Sequence, residues 1–237
     1  LDVIGSVTQT AAISARGLQL LGTGAVDLEN GANDVDTLAA QHSGTICYTD
    51  VDDLTVGTVT DSARPTALIT TTSGITNDAD VGLTTGGNLT IGNLVQITGV
   101  TSDLTLDVTG SLTQTAAIHA RGLQILGTGV VNLDHSNNDV DTLAAQHSGT
   151  ISYTDVDDLS VGTVIDSACS TADTTSGITN DADVRLTTGG NLAINDLVKI
   201  TGGNDLTLDV TGTVTQTAAI QATGLQLLGT GAVDLEH

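Results

Sequence analysis

Apolar residues along this chain come in pairs two positions apart: Leu18/Leu20, Val26/Leu28, Ile46/Tyr48, Leu54/Val56, Val81/Leu83 and Leu89/Ile91. Such spacing places both side chains of a pair on one face of an extended strand, so each segment predicts a short strand with one buried side. Turn signals separate the pairs: Gly22-Thr-Gly24, Glu29-Asn-Gly31, Asn33-Asp34, Asp50-Val-Asp-Asp53, Asn77-Asp78 and Gly86-Gly-Asn88. No stretch carries the i, i+3, i+4, i+7 spacing of an amphipathic helix over a useful length. The pattern therefore predicts an all-β chain of many short strands.

The strands are nested in a long repeat. Leu1-Asp-Val-Ile-Gly-Ser-Val-Thr-Gln-Thr-Ala-Ala-Ile returns at Leu106 and again at Leu208, with periods of 105 and 102 residues. Residues 1–63 align with 106–168 without a gap and share 50 identities. The difference in length falls mostly where Ser62–Gly74 faces Ser167–Gly177, which predicts a surface loop there. The chain divides into repeats 1–105 and 106–207 and a partial repeat 208–237, all within one solenoid segment, 1–237. Fixed-period self-similarity of this kind is the signature of stacked architectures.

Equivalent starts at Leu1, Leu18, Val35 and Leu54 lie 17, 17 and 19 residues apart. Coils of roughly 17–25 residues, about five per long repeat, suit a parallel β-helix with three short strands and three turns. At ~4.8 Å per coil, 11–12 coils make a rod ~55 Å long. The coils are too long and irregular for a left-handed hexapeptide solenoid, so a right-handed helix is expected. Its core should hold Leu18, Leu20, Val26, Leu28, Ile46, Leu54, Val56, Val81 and Leu83 with their repeat-two counterparts. An antiparallel sandwich fits less well, because it does not explain coil-like units inside a 105-residue repeat. Neither end carries an atypical capping segment, so an uncapped fragment is expected, with end-to-end self-association through its ends.

Composition sharpens the picture. The chain has no Phe, Trp or Met, one Pro and two Tyr, yet 39% of it is hydrophobic. Thin aliphatic side chains stack easily at strand spacing, whereas bulky aromatics need matched neighbours. Five basic residues face 28 acidic ones, for a formal charge of −23. Binding to nucleic acid requires cationic groups that displace phosphate counterions. The few present here argue against it, and against anionic membrane surfaces. No apolar run approaches the ~20 residues of a membrane helix, so this segment is not expected to insert into a bilayer.

The run VTQTAAISARGLQLLGTGAVDL, with the continuations NDVDTLAA and GTICYTDVDDLTVGTV, resembles repeats of very large bacterial surface proteins, the filamentous-haemagglutinin-like adhesins and autotransporter passenger regions. The resemblance spans essentially the whole chain. It implies a right-handed parallel β-helix, export to the outer cell surface or beyond, and a role as a stalk or in adhesion. It supplies no catalytic residues. A structural spacer is the first expectation, and a multivalent surface for cell-surface glycans or proteins the second.

Candidate chemistry is sparse. Asp50, Asp52 and Asp53, repeated as Asp155, Asp157 and Asp158, place carboxylates in one turn and are candidate ligands for weakly bound calcium. The same residues suit a plain turn, because Asp side chains hydrogen-bond nearby backbone. Asn77, Asp78 and Asp80, with Asn180, Asp181 and Asp183, form a second turn of this kind. His42 and His147 occupy equivalent positions and are expected to be solvated turn residues, five coils and ~24 Å apart. Cys47 and Cys169 are 122 residues apart, an expected six coils or ~29 Å, which predicts two free thiols. No other cofactor is expected. A polysaccharide-degrading β-helix enzyme is a distant alternative, since carboxylates abound but aromatic and cationic sugar contacts do not. The Thr-x-Thr pattern of an ice-binding face occurs once per long repeat rather than on every coil.

Charge yields a first prediction. Spread over ~55 Å, the net charge amounts to one negative charge about every 2.4 Å, near the line density of duplex DNA. Self-repulsion at that density favours expansion. The melting temperature should rise with NaCl and more steeply with CaCl2; insensitivity to both would show that the charges are too well dispersed to matter.

Overall fold

A computed structural model describes residues 1–62, 70–170 and 173–235. Every regular element among them is a strand, and 27 strands join into one sheet paired in parallel throughout. The chain winds into a β-solenoid of about 11 turns. One line of register partners runs Val7, Val26, Ile46, Val81, Leu104, Leu123, Leu143, Val161, Ile194 and Gln216. Nine of these ten are aliphatic, so each branched side chain rests on another of similar thickness from the coil below.

The period-two pairs explain the core. In segments such as Val26–Leu28 and Leu54–Val56, both apolar residues are buried while the residue between them is more exposed. All nine expected core residues lie inside, the most exposed being Leu18 at 7%. Tyr48 and Tyr153 are fully buried, and each hydroxyl donates to a neighbouring carboxylate.

The coils turn at corners where side chains cannot fit. Gly44 has φ of +115°, and a Cβ there would lie 2.5 Å from the Gly24 carbonyl oxygen of the coil below. Only glycine tolerates both the backbone angle and that approach. Another corner is held by a buried side chain. The Asn33 amide donates to the Leu28 and Thr49 carbonyls and to Gln9 Oε1, while its oxygen accepts from Ile13 N and Gln9 Nε2. Asn138 repeats the arrangement with Leu133, Thr154, Ile118 and Gln114. Each amide thus ties together backbone groups from successive coils at one corner.

Two expectations need correction. A long repeat does not hold five coils. Four coils above Val26 the register reaches Leu123, and the fifth reaches Leu143. The repeat counterpart of Val26 is Val131, which lies between them and stacks on Leu112 instead. A repeat is therefore more than four coils and fewer than five, and equivalent residues land on different lines of the rod. The earlier count erred because coil length is uneven, from 18 residues between Leu143 and Val161 to 35 between Ile46 and Val81.

The second correction concerns the length difference between repeats. Thr58–Asp61 pairs antiparallel with Thr70–Ser73, and Thr163–Ile165 with Thr174–Ser176. These two hairpins, where a loop was expected, bud from the coil wall and account for the longest coils. Part of the Ser62–Gly74 stretch lies outside the described residues. Each hairpin lies against the outside of the rod: Gln19 Nε2 donates to Thr72 Oγ1 at 2.7 Å, and Gln124 Nε2 to Thr175 Oγ1 at 2.6 Å.

Candidate functional site: a strap between repeats

The second hairpin covers a particular strip of the rod. Outward-facing residues Ala144, Gln124, Thr105, Gly82, Cys47 and Asp27 stack in one line through successive coils. The hairpin leaves the wall next to Ala144 and descends this strip toward the first repeat. Val164 of the hairpin packs on Gly122, and Thr175 sits on Gln124, whose other amide atom accepts from Thr105. Ile165 N donates to Asp103 Oδ2, and Ser167 Oγ to Asp80 Oδ2. Farther down, Ser170 N donates to Glu29 Oε1 at 3.2 Å.

At the foot of the strap Cys169 forms a disulfide with Cys47, with Cα atoms 5.0 Å apart. The expectation of two free thiols is overturned. Converting sequence separation into height assumed that both cysteines belong to the coil wall. Cys169 instead lies on a hairpin that folds back over four coils, so 122 residues of chain close into a loop across the repeat boundary.

The strip is made for the strap. A Cβ on Gly82 would lie 2.5 Å from Cys169 Sγ and 3.2 Å from Asp166 Oδ2. The corresponding strip in the second repeat carries Ser152 in place of Cys47 and Arg185 in place of Gly82. Arg185 there pairs with Asp209 at 2.6 Å. Two departures from an otherwise close repeat thus fall on neighbouring rungs of one line. That coincidence was the sequence signal of the strap, and it becomes visible only once coil register is known.

The carboxylates of the acidic turns hydrogen-bond nearby backbone, as the plain-turn reading of their sequence expects. Asp50 is turned inward and is 2% exposed. Its Oδ2 accepts from Val35 N at 3.0 Å and Tyr48 Oη at 2.6 Å, and its Oδ1 from Asp52 N. Asp52 is exposed, while Asp53 reaches the next coil to accept from the backbone and side chain of Asn88. Asp155, Asp157 and Asp158 repeat this, with Asp155 bound by Val140 N and Tyr153 Oη and Asp158 by Asn191. In each triad one carboxylate points into the core and another toward the coil above. Among the described residues, three ligating groups converge only at Glu29, Cys47 and Cys169.

The second pair of turns behaves likewise. Asp78 accepts from Ser43 Oγ and Gly44 N of the preceding coil, bonds that hold its carboxyl below the usual range. Asp80 and Asp183 accept from backbone N–H groups of the following coil, at Asp103 and Asp205. Asn77 and Asn180 each donate to two backbone carbonyls. The histidines also depart from expectation. His42 is 7% exposed rather than solvated, and its Nε2 donates to the Gly24 carbonyl at 2.6 Å. His147 does the same to Gly129 at 3.1 Å. With a carbonyl as partner, Nε2 must carry the proton.

No protein-family model, curated protein or solved structure matches this chain.

Burial raises the Asp155 carboxyl to about 6, even though Tyr153, Asp157 N and Val140 N favour its charged form. An unfolded Asp titrates near ~3.9, so between about pH 4 and 6 the folded state holds a proton that the unfolded state has released. Stability should therefore rise as pH falls from 7 to 5, and Asp155→Asn should remove about 1.3 kcal/mol of that gain. Urea titrations at the two pH values measure it, and an unchanged pH response in the variant would refute the assignment.

Cys169→Ser should lower stability by about 2–4 kcal/mol, since it releases a long closed loop. Gly82→Arg, which installs the residue of the second repeat, should act in the same direction by unseating the strap. Thiol titration of the unreduced Gly82→Arg protein should then find two free thiols per chain, where the parent protein gives none.

Proposed function

We propose that this chain is a structural spacer segment of an extracellular bacterial adhesin or cell-contact filament, without catalysis of its own. The observation that carries the reading is the strap. A hairpin of the second repeat is bolted through Cys47–Cys169 onto coils of the first. Neighbouring repeats are thereby cross-linked along the rod axis, on top of the parallel ladder that already joins every coil to the next. Such a bolt resists peeling of coils from one another, which is what a rod under tension needs. A structural disulfide also fits an oxidising compartment, in keeping with export. Near-identical repeats extend reach by a fixed step while adding few new surfaces.

The buried polar groups support the same reading. Asp50, Asn33, His42 and their counterparts bind backbone groups of their own or adjacent coils. Their chemistry is spent on holding corners closed.

Fragments carrying one, two and four repeats separate spacer from adhesive surface. A spacer shows no saturable binding to whole cells or glycan arrays at any length. An avidity binder gains affinity steeply with repeat number. Saturable binding to one defined glycan or protein would overturn the spacer reading.

A further inference from the structure

The foot of the strap brings together groups that the disulfide alone does not use. Glu29 lies beside Cys47 and Cys169, and one ligand atom from each of the three sits within 4.8 Å of the others. Glu29 is held there from both sides. Its own strand end fixes it on the coil wall, and Ser170 N of the strap donates to its Oε1. Cys47 is 1% exposed, while Glu29 and Cys169 are half-buried. A cleft of about 410 Å³ opens onto the cluster, lined by Glu29, Asp107, Asp166, Asp173 and Cys169. It carries four carboxylates and no basic side chain.

We infer that the strap foot is a metal site in its reduced state: with the disulfide opened, Cys47, Cys169 and Glu29 bind one thiophilic divalent cation such as Zn²⁺. The chemistry balances simply. A dithiol reductant supplies two electrons and two protons, the S–S bond breaks to two thiols, and the reductant becomes a disulfide. The cation then displaces both thiol protons to solvent and takes the two thiolates, with the Glu29 carboxylate as third ligand. Two thiolates on a tetrahedral Zn²⁺ lie ~3.8 Å apart, a spread that side-chain rotation provides across a Cα separation of 5.0 Å. Two soft sulfurs select such an ion over Ca²⁺ and Mg²⁺, which take oxygen ligands. The cleft that opens onto the cluster leaves room for water as a fourth ligand.

The surroundings favour a cation. Asp107, Asp166 and Asp173 line the same cleft with no basic side chain among them, so a positive ion at the strap foot offsets their mutual repulsion. The strap is thereby fastened in either redox condition, covalently when oxidised and by coordination when reduced. This inference stands apart from the spacer role, since it concerns the strap foot whatever the rod is for.

Cobalt tests it, because Co²⁺ substitutes for Zn²⁺ and reports its own ligands. The whole chain, reduced and freed of reductant under anaerobic conditions, is titrated with CoCl2 while circular dichroism follows its β content. The expected result is one Co²⁺ per folded chain, with a thiolate-to-cobalt charge-transfer band and the intense visible bands of a four-coordinate ion. Zn²⁺ should abolish the spectrum and excess Ca²⁺ should leave it intact. Cys169→Ser should lose the charge-transfer band, and Glu29→Gln should shift the visible bands and weaken binding. Four outcomes overturn the inference: no charge-transfer band, loss of β structure on reduction, one ion per two chains, or a Glu29→Gln titration identical to the parent protein.

Discussion

Parallel stacking at strand spacing is the constraint on which everything else here depends. Each coil must place a side chain of matching thickness over the one beneath, because the backbone ladder fixes both height and register. Val26, Ile46, Val81, Leu104 and Leu123 obey it on a single line. The absence of Phe and Trp from the sequence is in keeping with the same rule. Where the wall must turn, buried amides and carboxylates tie together backbone groups at the corner. Asn33 and Asp50 are therefore as structural as any leucine, despite their polarity.

The uneven repeat has a physical consequence. Since 105 residues span more than four coils but fewer than five, equivalent residues in successive repeats keep equivalent stacking neighbours but land on different lines of the rod. Val26 stacks on Val7, and Val131 on Leu112, the counterpart of Val7. The strap depends on substitutions between repeats rather than on a change of register. Its track on the first repeat has Gly82 and Cys47, while the equivalent track on the second has Arg185 and Ser152. A strap of the Cys169 kind is matched to one track and excluded from the other by the arginine side chain.

The surplus of acid is spent largely on the same architecture. Asp53, Asp78, Asp80 and Asp183 each accept a backbone N–H from an adjacent coil. A carboxylate does this better than an amide because the bond to a charged acceptor is stronger. The cost is mutual repulsion along the rod and, for the buried members, desolvation that pushes carboxyl groups such as Asp155 upward. Acidic repeats and a stapled wall are two descriptions of one solution.

The period-two pairs and the 105-residue repeat by themselves determined a solenoid of parallel strands and named its core from Leu18 to Leu83. That much is legible because stacking makes burial a local property: a residue two positions from another apolar one faces the same way in every coil. Whether Asp50 points to solvent or core was not legible, since Asp-rich turns look alike until the fold brings Val35 N and Tyr48 Oη to one carboxylate as donors. Coil number per repeat was misjudged for a related reason, as the hairpins lengthen some coils without altering the apolar rhythm. The union of Cys47 with Cys169 was decided only by the tertiary structure. Sequence distance becomes spatial distance along a rod only for residues in its wall, and a hairpin that folds back over four coils breaks that proportion.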